Sequence, residues 1–380
     1  MAMSIQEMRR IGREGGKETF ELIIGPVHME TENFSIIVTV EGDTVVEAKV
    51  NAGFLHRAFE KLAENRTYIQ NVPLLLRVCV PDPDHAETAY SMAVEQLLNI
   101  EIPDRAKYIR TIVLEMARIS AHLFWTFGMS AAVGLYTVGQ WSVADRERFI
   151  ELFEELTGAR IYHIYNFPGG VRYDLPMGWT DKLMKVVNYM EKRLREYDKV
   201  FFENDILITR SRGLAKISTE EAISLGVTGP NLRATGVPYD FRKLDPYAAY
   251  PYIDFEIPTG RYGDAYDRIM VRRKEIEISL NIIKQAIKEL PSGPIMAPIP
   301  HPLYYNVPPG DAYARVESSK GEFGFYVVSD GSDRPWRVHI RGPSFIHGVQ
   351  LLERLLKNVR IADIPVVLKS LDNCPPDIDR

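Results

Sequence analysis

Two short cysteine-containing segments carry the chemistry that this sequence could perform. The chain has two cysteines, and each is followed three positions later by an aspartate, in Cys79-Val-Pro-Asp82 and in Cys374-Pro-Pro-Asp377. A thiolate is a nucleophile and a soft metal ligand, whereas a carboxylate is a hard ligand or a helix cap. Because the pattern occurs once early and once near the end of the sequence, we expect the fold to bring the two segments together.

The segment around Cys79 predicts a rigid turn that leads into a helix. Both prolines of Val80-Pro81-Asp82-Pro83 lack a backbone donor and fix their own φ, so regular structure stops there. Asp84 is a suitable N-cap, and apolar residues then recur at helical spacing. Cys79 and His85 would therefore lie at the mouth of a helix. The same local pattern also describes an ordinary helix start, so it does not by itself assign a function.

Four long segments with helical periodicity predict a central helix bundle. They are residues 105–127, 143–156, 180–202 and 264–290. In the first of them Glu115, Arg118 and His122 recur at related spacings, which predicts a polar seam between packed helices. Residues 123–144 carry no charge, but glycines and polar residues interrupt them. We interpret this stretch as a buried helix followed by a turn, not as a membrane span.

Alternating apolar residues on both sides of Glu41-Gly42-Asp43 predict a β-hairpin over residues 34–50. Two more strands are predicted at residues 323–328 and 336–341, and Pro343 is expected to begin a helix that runs to about residue 359. The fold class is therefore α+β. We expect a single domain over residues 1–380, with an N-terminal extension (1–19), a hairpin region (20–53) and a proline-rich loop (291–310).

Composition excludes some functions and favours a reducing compartment. The formal net charge of −5 does not indicate a nucleic-acid partner. Two cysteines far apart in the sequence argue against a disulfide framework. The first 20 residues are charged and contain no apolar core of signal-peptide length, so the cytoplasm is the expected location.

Longer stretches of the sequence resemble the large subunit of nickel–iron hydrogenases and its descendant, the 49-kDa-type subunit of respiratory complex I. The matching stretches are GPVH (25–28), ENRTYIQN (64–71), YHIYNFPGGVRYDLP (162–176), GVTGPNLRATGVPYDFRK (226–243) and GEFGFYVVSDG (321–331). The resemblance covers the chain in order from Gly25 to Arg380. It implies a hydrogenase-large-subunit fold, with a central bundle of long helices, a small N-terminal β-sheet and further strands near the C-terminus.

The resemblance also implies a lost metal centre. The four cysteine positions that hold nickel and iron in the hydrogenases fall here at Cys79, Asp82, Cys374 and Asp377. Replacing two soft thiolates by hard carboxylates implies that this chain does not carry that centre. A mixed site could bind zinc or iron if all four groups converge. We expect instead a metal-free cavity.

Four residues around the former centre are expected to line a substrate cavity: Arg77, Asp82, His85 and Asp377. The structural alternative is that Asp82 caps a helix and that Asp377 pairs with Arg77 or Arg380. Positive charge in the segment 226–243, which includes Arg233, Arg242 and Lys243, is typical of a solvated loop. The resemblance instead implies that this segment contacts the cluster and cavity region.

One group of relatives reduces quinone with a loop histidine and a tyrosine that bind the head group. The matching residues here are His28 and Tyr68, and each can supply a proton during a two-electron reduction. Those relatives also have an aspartate beside the histidine, where this chain has Ala132, and they lack the cysteine found here at position 79. The sequence therefore keeps part of a quinone site and lacks part of it.

The retained cysteines are more similar to a third group, the membrane-bound sulfane sulfur reductases of archaea that respire elemental sulfur. That resemblance implies a ferredoxin-dependent oxidoreductase complex that reduces polysulfide and couples the reaction to ion translocation. Cys79 and Cys374 would act on the S–S bond by thiol exchange, with His28 and Tyr68 as further catalytic candidates. Quinone reduction and a non-catalytic scaffold role stay open as alternatives.

The same resemblance implies where the chain works and with which partners. It would hold no cofactor itself, and the nearest one would be an iron–sulfur cluster on an adjacent small subunit. Its partners would be that iron–sulfur subunit, further hydrophilic and membrane subunits, and ferredoxin as the electron donor to the complex. The chain would lie peripherally at the cytoplasmic face of the cell membrane.

Overall fold

The computed structural model describes residues 7–14, 17–29, 31–299 and 305–380. The helices, numbered in chain order, are α1 (Phe59–Ala63), α2 (Tyr68–Leu75), α3 (Pro83–Leu98), α4 (Asp104–Ala132), α5 (Tyr136–Thr157), α6 (Trp179–Tyr197), α7 (Asp205–Ser211), α8 (Thr219–Ser224), α9 (Gly229–Arg233), α10 (Phe241–Leu244), α11 (Ala265–Lys288), α12 (Pro343–Phe345), α13 (Leu352–Leu355), α14 (Ile364–Leu371) and α15 (Pro375–Asp379). The strands are β1 (Glu7–Glu14), β2 (Lys17–Ile24), β3 (Ser35–Glu41), β4 (Thr44–Asn51), β5 (Asn166–Phe167), β6 (Gly170–Val171), β7 (Gly310–Glu317), β8 (Glu322–Ser329) and β9 (Pro335–Arg341).

Helix α4 lies at the centre of the fold and is buried on nearly every side. It packs against α5 and α11, and α14 covers its C-terminal half. Helix α3 packs on the sheet formed by β7 and β8. A helix that is apolar on most faces is stable only inside a larger core, which explains why its neighbours surround it. The predicted central bundle is confirmed.

The predicted buried helix followed by a turn is confirmed for the uncharged segment 123–144, but the next helix begins within this segment and not at residue 143 as predicted. Helix α4 ends at Ala132, and Gly134 adopts a left-handed conformation with φ 83°. The Leu135 N–H donates to the Ser130 carbonyl at 2.8 Å, and α5 begins at Tyr136. Within the part of the chain that the structure describes, no helix is both long enough and apolar enough to cross a membrane.

Two larger antiparallel sheets and the short two-stranded sheet β5–β6 complete the described fold. The predicted hairpin is confirmed as β3 and β4, but β1 and β2 extend it to a four-stranded sheet in the order β1-β2-β3-β4. The N-terminal extension was predicted over residues 1–19. Its described residues belong to this sheet, and residues 1–6 and 15–16 lie outside the described residues. The second sheet has the order β7-β8-β9, of which β8 and β9 were predicted. Residues 300–304 of the predicted proline-rich loop also lie outside the description.

Two predicted helix boundaries differ in the structure. Helix α3 begins at Pro83 with Asp82 at the N-cap position, because proline is favoured in the first turn of a helix. Asp84 is therefore not the N-cap but a first-turn residue, and its carboxylate lies 2.9 Å from Nδ1 of His163. The predicted helix over 343–359 is divided into α12, a π-helical segment at Ile346–Leu351 and α13.

The N-terminal sheet and the C-terminal segment pack together in a second apolar core, separate from the core around α4. Ile36 and Val38 of β3 contact this core from one side, and Leu352 and Leu371 from the other. The Asp379 carboxylate accepts hydrogen bonds from the backbone N–H groups of residues 53 and 55, at 2.8 and 2.7 Å. This packing brings the β2–β3 loop and the last helices beside the end of α4.

A set of fully buried charged side chains joins α4 to α11 and to the 226–243 segment. We call it the buried ion cluster; it comprises Glu115, Arg118, Arg233, Asp240, Arg242, Glu275 and Glu317. The Arg242 guanidinium lies 2.6 Å from Asp240 and 3.2 Å from Glu115, and Arg233 lies 2.6 Å from Glu317. The predicted polar seam is confirmed. The expectation of a solvated basic loop is wrong for Arg233 and Arg242, because both pair with buried carboxylates.

Candidate functional site

The two thiols meet at the N-terminal ends of two helices. Cys79 follows a 3₁₀ turn and precedes α3, and Cys374 is the N-cap residue of α15. Their backbones are nearly identical, with φ and ψ of −121° and 110° at Cys79 and −115° and 108° at Cys374. Both cysteines are free and buried, and their thiols are close enough to hydrogen-bond. The structure therefore joins the two segments that the sequence pattern paired.

The environment of Cys79 favours its protonated form. The hydrogen bond with the Cys374 thiol and burial both raise the pKa of Cys79 well above its usual value, and the nearby carboxylate of Asp82 acts in the same direction. The positive charge of Lys320 opposes them without reversing the shift. At neutral pH Cys79 is therefore a thiol that can donate its proton to a leaving group.

Asp82 belongs to a buried chain of hydrogen bonds behind Cys79. Its carboxylate contacts Nδ1 of His85 in a short hydrogen bond and accepts from the Ser319 N–H at 2.8 Å. Nε2 of His85 lies 3.2 Å from the Arg118 guanidinium of the buried ion cluster. Burial alone would raise the pKa of Asp82, but His85, the Ser319 N–H and Arg118 hold it well below its usual range. Asp82 is thus an ionised, fully engaged group.

Asp377 is engaged by the turn that begins α12. Its carboxylate accepts from the Ser344 N–H at 2.9 Å, and a Cβ atom at Gly342 would overlap it. Burial raises the pKa of Asp377 despite this hydrogen bond. Arg380 lies near enough to act on Asp377 through its charge, but its guanidinium donates to the Ile340 carbonyl. The predicted pairing with Arg77 is not observed among the described contacts of Asp377.

Arg77 is held on the other side of the thiols. It donates to the Pro73 carbonyl, and its guanidinium lies 4.9 Å from the centre of the Tyr162 ring. Tyr162 has a left-handed backbone with φ 61°, which a non-glycine residue adopts only when its surroundings impose it. Burial raises the pKa of Tyr162, and a negative charge on either cysteine would raise it further. The tyrosine therefore lies near the cysteine pair. Nothing in the spacing of the YHIY stretch predicted that position.

A cavity of about 510 Å³ lies beside Cys374, a volume typical of small-molecule sites. We call it the Cys374 cavity. Helices α4 and α5 contribute mostly apolar lining residues, and the β7–β8 turn and the residues before α15 contribute polar ones. The lining includes Thr31, Phe124, Phe127, Tyr136, Lys320, Asp372, Asn373 and Cys374.

The four residues predicted to line this cavity do not line it. Arg77, Asp82, His85 and Asp377 are all absent from its described lining, because each is turned toward a partner behind the cysteines. Cys374 reaches the cavity surface, whereas Cys79 lies behind it and the following residues Val80 and Pro81 contribute to the wall. Their predicted place at a substrate cavity stays a prediction, and the described contacts put all four in hydrogen bonds with other parts of the chain.

The loop that carries His28 borders the cavity. Residues 29 and 31–34 line it, and the His28 carbonyl accepts from the Glu32 N–H at 2.8 Å. Partial burial and the positive charge of Lys369 lower the pKa of His28. The loop insertion implied by the resemblance is therefore present, and a role for His28 as a proton donor stays a prediction.

Tyr68 lies elsewhere. A capping box at Thr67 starts α2 and turns Tyr68 into the core, where its backbone carbonyl accepts from the Tyr90 hydroxyl at 3.0 Å. Its own hydroxyl faces Ser329 at the end of β8, and burial raises the pKa of Tyr68 to about 12. Tyr68 is not in the described lining of the Cys374 cavity, so the structure does not pair it with His28.

Three polar residues of the cavity wall were not singled out from the sequence: Lys320, Asp372 and Asn373. Nζ of Lys320 lies 2.7 Å from Asp372, whose other oxygen is 3.8 Å from Nε of Arg272. Burial would lower the pKa of Lys320, but Asp372 and the two thiols hold it above its usual range. Lys320 immediately precedes the matching stretch GEFGFYVVSDG, so a window one residue wider would have included it.

Comparison with known proteins identifies the family. The family model "Respiratory-chain NADH dehydrogenase, 49 Kd subunit" matches residues 132–380. The chain is 47% identical over 364 residues to a subunit of the NADH-quinone oxidoreductase of Thermosipho melanesiensis, with 95% of this chain and 99% of the relative covered. It is 39% identical over 373 residues to a subunit of the F(420)H(2) dehydrogenase of Methanosarcina mazei, with 96% and 99% covered.

A solved structure matches over almost the whole chain. It is a chain of the membrane-bound sulfane sulfur reductase (MBS), an archaeal respiratory membrane complex, with a TM-score of 0.93 and 55% identity. The match covers 97% of this chain and 100% of the other. This protein belongs to the family of the 49 kDa subunit of the respiratory-chain NADH dehydrogenase. The predicted family and the predicted hydrogenase-like α+β fold are confirmed.

The donor set gives a first testable prediction, about metal content. Among the described residues, no group of three or more His, Cys, Asp and Glu side chains is arranged to hold a metal ion. The Asp82 carboxylate is bound by His85 and by the Ser319 N–H, and the Asp377 carboxylate is bound by the Ser344 N–H. Two thiolates alone are a poor ligand set for nickel. When the cells are grown with nickel in the medium, we expect elemental analysis of the purified complex to find no stoichiometric nickel.

The control for this prediction is the C79A/C374A double variant. If nickel is only adventitious, the double variant and the unmodified protein contain the same trace amount. One nickel per chain that disappears in the double variant would contradict the prediction.

Proposed function

We propose that this chain is the large subunit of a membrane-bound, ferredoxin-dependent respiratory complex that reduces polysulfide and couples this reaction to ion translocation. The observation that carries the proposal is the pair of buried thiols, Cys79 and Cys374, at the wall of a cavity. The 55% identity to a chain of the membrane-bound sulfane sulfur reductase supports it. The chain would lie at the cytoplasmic face of the membrane, beside a small subunit whose iron–sulfur cluster supplies electrons.

The positions of the two cysteines suggest different roles for them. Cys374 lines the cavity, so its thiolate attacks the terminal S–S bond of a polysulfide dianion. This forms a Cys374 persulfide and releases a polysulfide shorter by one sulfur. Cys79 lies behind Cys374, and its thiol attacks the Cys374 sulfur. The new S–S bond joins the two cysteines, and hydrosulfide leaves with the Cys79 proton.

Two electrons then return the pair to its starting state. The disulfide is cleaved to the Cys79 thiol and the Cys374 thiolate, and Cys79 takes up one proton. An iron–sulfur cluster on the partner subunit would supply the two electrons from ferredoxin. The sum is that a polysulfide dianion, two electrons and one proton give a shorter polysulfide and hydrosulfide. His28, on the loop whose neighbouring residues line the cavity, is the candidate to supply that proton.

Quinone reduction is the second candidate function, because a relative 47% identical to this chain is named as a subunit of an NADH-quinone oxidoreductase. That chemistry needs two hydrogen-bond donors to the quinone head group. The loop that carries His28 lines the cavity through residues 29 and 31–34 but not through His28 itself, and the Tyr68 hydroxyl faces Ser329. The geometry therefore favours the thiol pair over the His28–Tyr68 pair.

An acceptor assay separates the two functions and is our second prediction. With reduced ferredoxin as donor, the purified complex should reduce inorganic polysulfide and a dialkyl trisulfide, because both offer an S–S bond to Cys374. It should not reduce a soluble quinone at a comparable rate. Sulfide release and quinone absorbance are the measurements.

The control is the same complex without ferredoxin, which removes the electron source and leaves only thiol exchange. Rapid quinone reduction together with no sulfide release would overturn the proposal in favour of the complex I-type reaction. No reaction with any acceptor would support a scaffold role.

A further inference from the structure

The two aspartates that follow the cysteines make the same kind of contact. The Asp82 carboxylate accepts from the Ser319 N–H at 2.8 Å, and the Asp377 carboxylate accepts from the Ser344 N–H at 2.9 Å. All four residues are buried. A buried carboxylate that accepts from a backbone N–H holds two segments of the chain in one fixed arrangement. Each thiol-bearing turn is therefore tied by its aspartate to another segment.

The two serines lie at the same end of one sheet. Ser319 is in the turn between β7 and β8, and Ser344 is in α12, shortly after β9. The antiparallel register pairs Gly324, near the start of β8, with Arg341, the last residue of β9. The β7–β8 turn and the start of α12 therefore leave the sheet on the same side. We call this part of the chain the sheet end; it comprises residues 318–321 and 342–344.

The sheet end also holds the backbone of Cys374. The Cys374 N–H donates to the Ser344 hydroxyl oxygen at 3.1 Å, and the Asp377 N–H donates to the Cys374 carbonyl at 3.0 Å. With the bond from the Ser344 N–H to Asp377, these contacts close a ring of hydrogen bonds around the turn. A Cβ atom at Gly342 would overlap the Asp377 carboxylate, so a glycine leaves the room that the carboxylate needs.

Helix capping does not account for these aspartates. Asp82 is at the N-cap position of α3, but its side chain makes no hydrogen bond to the first turn of that helix. Asp377 is in the first turn of α15, and its carboxylate bonds outside the helix, to Ser344. Both side chains are used to join segments that are distant in the sequence. A metal centre joins its ligand segments in the same way, by binding all of them.

We propose that Asp82 and Asp377 are positioning residues that hold the Cys79 and Cys374 sulfurs within bonding distance of each other by tying both turns to the sheet end. This inference rests on the proposed function, in which the two thiols form a disulfide once in each turnover. Groups held together react as if their local concentration were high, so the ties favour this disulfide. The aspartates contact no substrate and act through the cysteines.

A thiol–disulfide equilibrium measures this positioning without turnover. The purified complex is equilibrated with reduced and oxidised glutathione. One glutathione disulfide oxidises the two thiols to the Cys79–Cys374 disulfide and is itself reduced to two glutathione thiols. Alkylation of the remaining thiols and mass spectrometry of the two cysteine peptides give the equilibrium constant. We expect D377A to lower this constant by roughly 10-fold, the value of one buried hydrogen bond.

Two further variants separate the tie from the carboxylate itself. D377N keeps an oxygen that can accept from the Ser344 N–H and should retain most of the equilibrium constant. G342A keeps Asp377 but places a Cβ atom where its carboxylate lies, so it should lower the constant as D377A does. At the other turn, D82N and D82A make the same comparison for the bond to the Ser319 N–H.

The matched control is D264A. Asp264 is 2% exposed and accepts from the backbone N–H groups of Gly213 and Asp267 at 2.7 and 2.8 Å, at the start of α11. It therefore makes the same kind of contact as Asp377 on a different segment. Its loss should lower the thermal stability of the chain, because two buried donors lose their acceptor, and should leave the thiol–disulfide equilibrium unchanged.

The outcomes keep the two proposals apart. If D377A and G342A change the equilibrium constant no more than D264A does, the aspartates are only structural and the positioning proposal is wrong. Absence of the Cys79–Cys374 disulfide in the unmodified complex would also overturn it. The equilibrium needs neither ferredoxin nor a sulfur substrate, so sulfide release decides the proposed function separately. If the complex reduces no sulfur compound, that function fails, and a constant that depends on the aspartates still supports their positioning role.

Discussion

Replacing Cys374 by alanine is expected to abolish sulfide release from polysulfide, because the thiol that lines the cavity is then missing. Replacing Cys79 is expected to lower turnover by roughly 100-fold or more, because the thiol that attacks the Cys374 persulfide and protonates the leaving hydrosulfide is then missing. The C79A variant should also accumulate a persulfide on Cys374, since its resolving thiol is gone. Sulfide release and mass spectrometry of the Cys374 peptide measure the two effects.

The control for both variants is the C79A/C374A double variant. Residues that act as a unit are not additive, so its rate should equal that of C374A. The cluster spectrum of the partner subunit and the yield of assembled complex should stay unchanged, because both side chains are small and apolar in character. Full activity in the double variant would remove the thiols from the mechanism and leave the family assignment intact.

Replacing Arg242 by methionine is expected to destabilise the protein by about 3–5 kcal/mol, the effect of removing one partner from a buried ion pair. The variant leaves Asp240 and Glu115 buried without their nearest cation. Burial would raise the pKa of Glu115, and it is Arg118 and Arg242 that lower it to about 2, so the carboxylate is charged when its partner is lost. Thermal denaturation and protease resistance of the large subunit within the purified complex measure the effect.

The matched control is R160M. Arg160 pairs with Glu147 and Glu154, but these groups are about half exposed, and exposed ion pairs contribute little to stability. Adding D240N to R242M should recover part of the stability, since it removes one of the unpaired charges. Equal stability of R242M and R160M would show that the buried ion cluster is not held together by its charges.

The sequence predicts correctly those helices and strands whose own residues carry a clear periodic pattern. The hairpin β3–β4 has alternating residues and a glycine turn, and α4 has an unbroken apolar period, so both were found. Strand β7 was missed because it follows a proline-rich segment, and β1 because its charged residues give no alternation. The start of α3 was placed near Asp84 because an aspartate there is a good cap, but Pro83 in the first turn sets the boundary.

The thiol pair could be predicted because the same four-residue pattern occurs twice. In the hydrogenases that the chain resembles, the two matching segments hold one metal centre, so the two cysteines were expected to lie together. The cavity wall could not be predicted. Lys320, Asp372 and Arg272 come from three separate segments, and only the folded chain shows that they meet. The catalytic role of Tyr68 stays a prediction: the family resemblance suggested it, whereas the capping box at Thr67 turns the Tyr68 side chain into the core.

The anchoring of the C-terminal segment on the N-terminal sheet has a consequence for synthesis. The backbone N–H of residue 53 and the Asp379 carboxylate are 326 positions apart, and Cys374 lies on the same late segment as Asp379. Contacts between such distant positions form slowly, because a long loop must close first. On the ribosome, Cys79 emerges long before Cys374 and remains a solitary thiol until the segment with Cys374 has been released. A partner subunit therefore meets a complete cavity only after that segment has been translated and has folded.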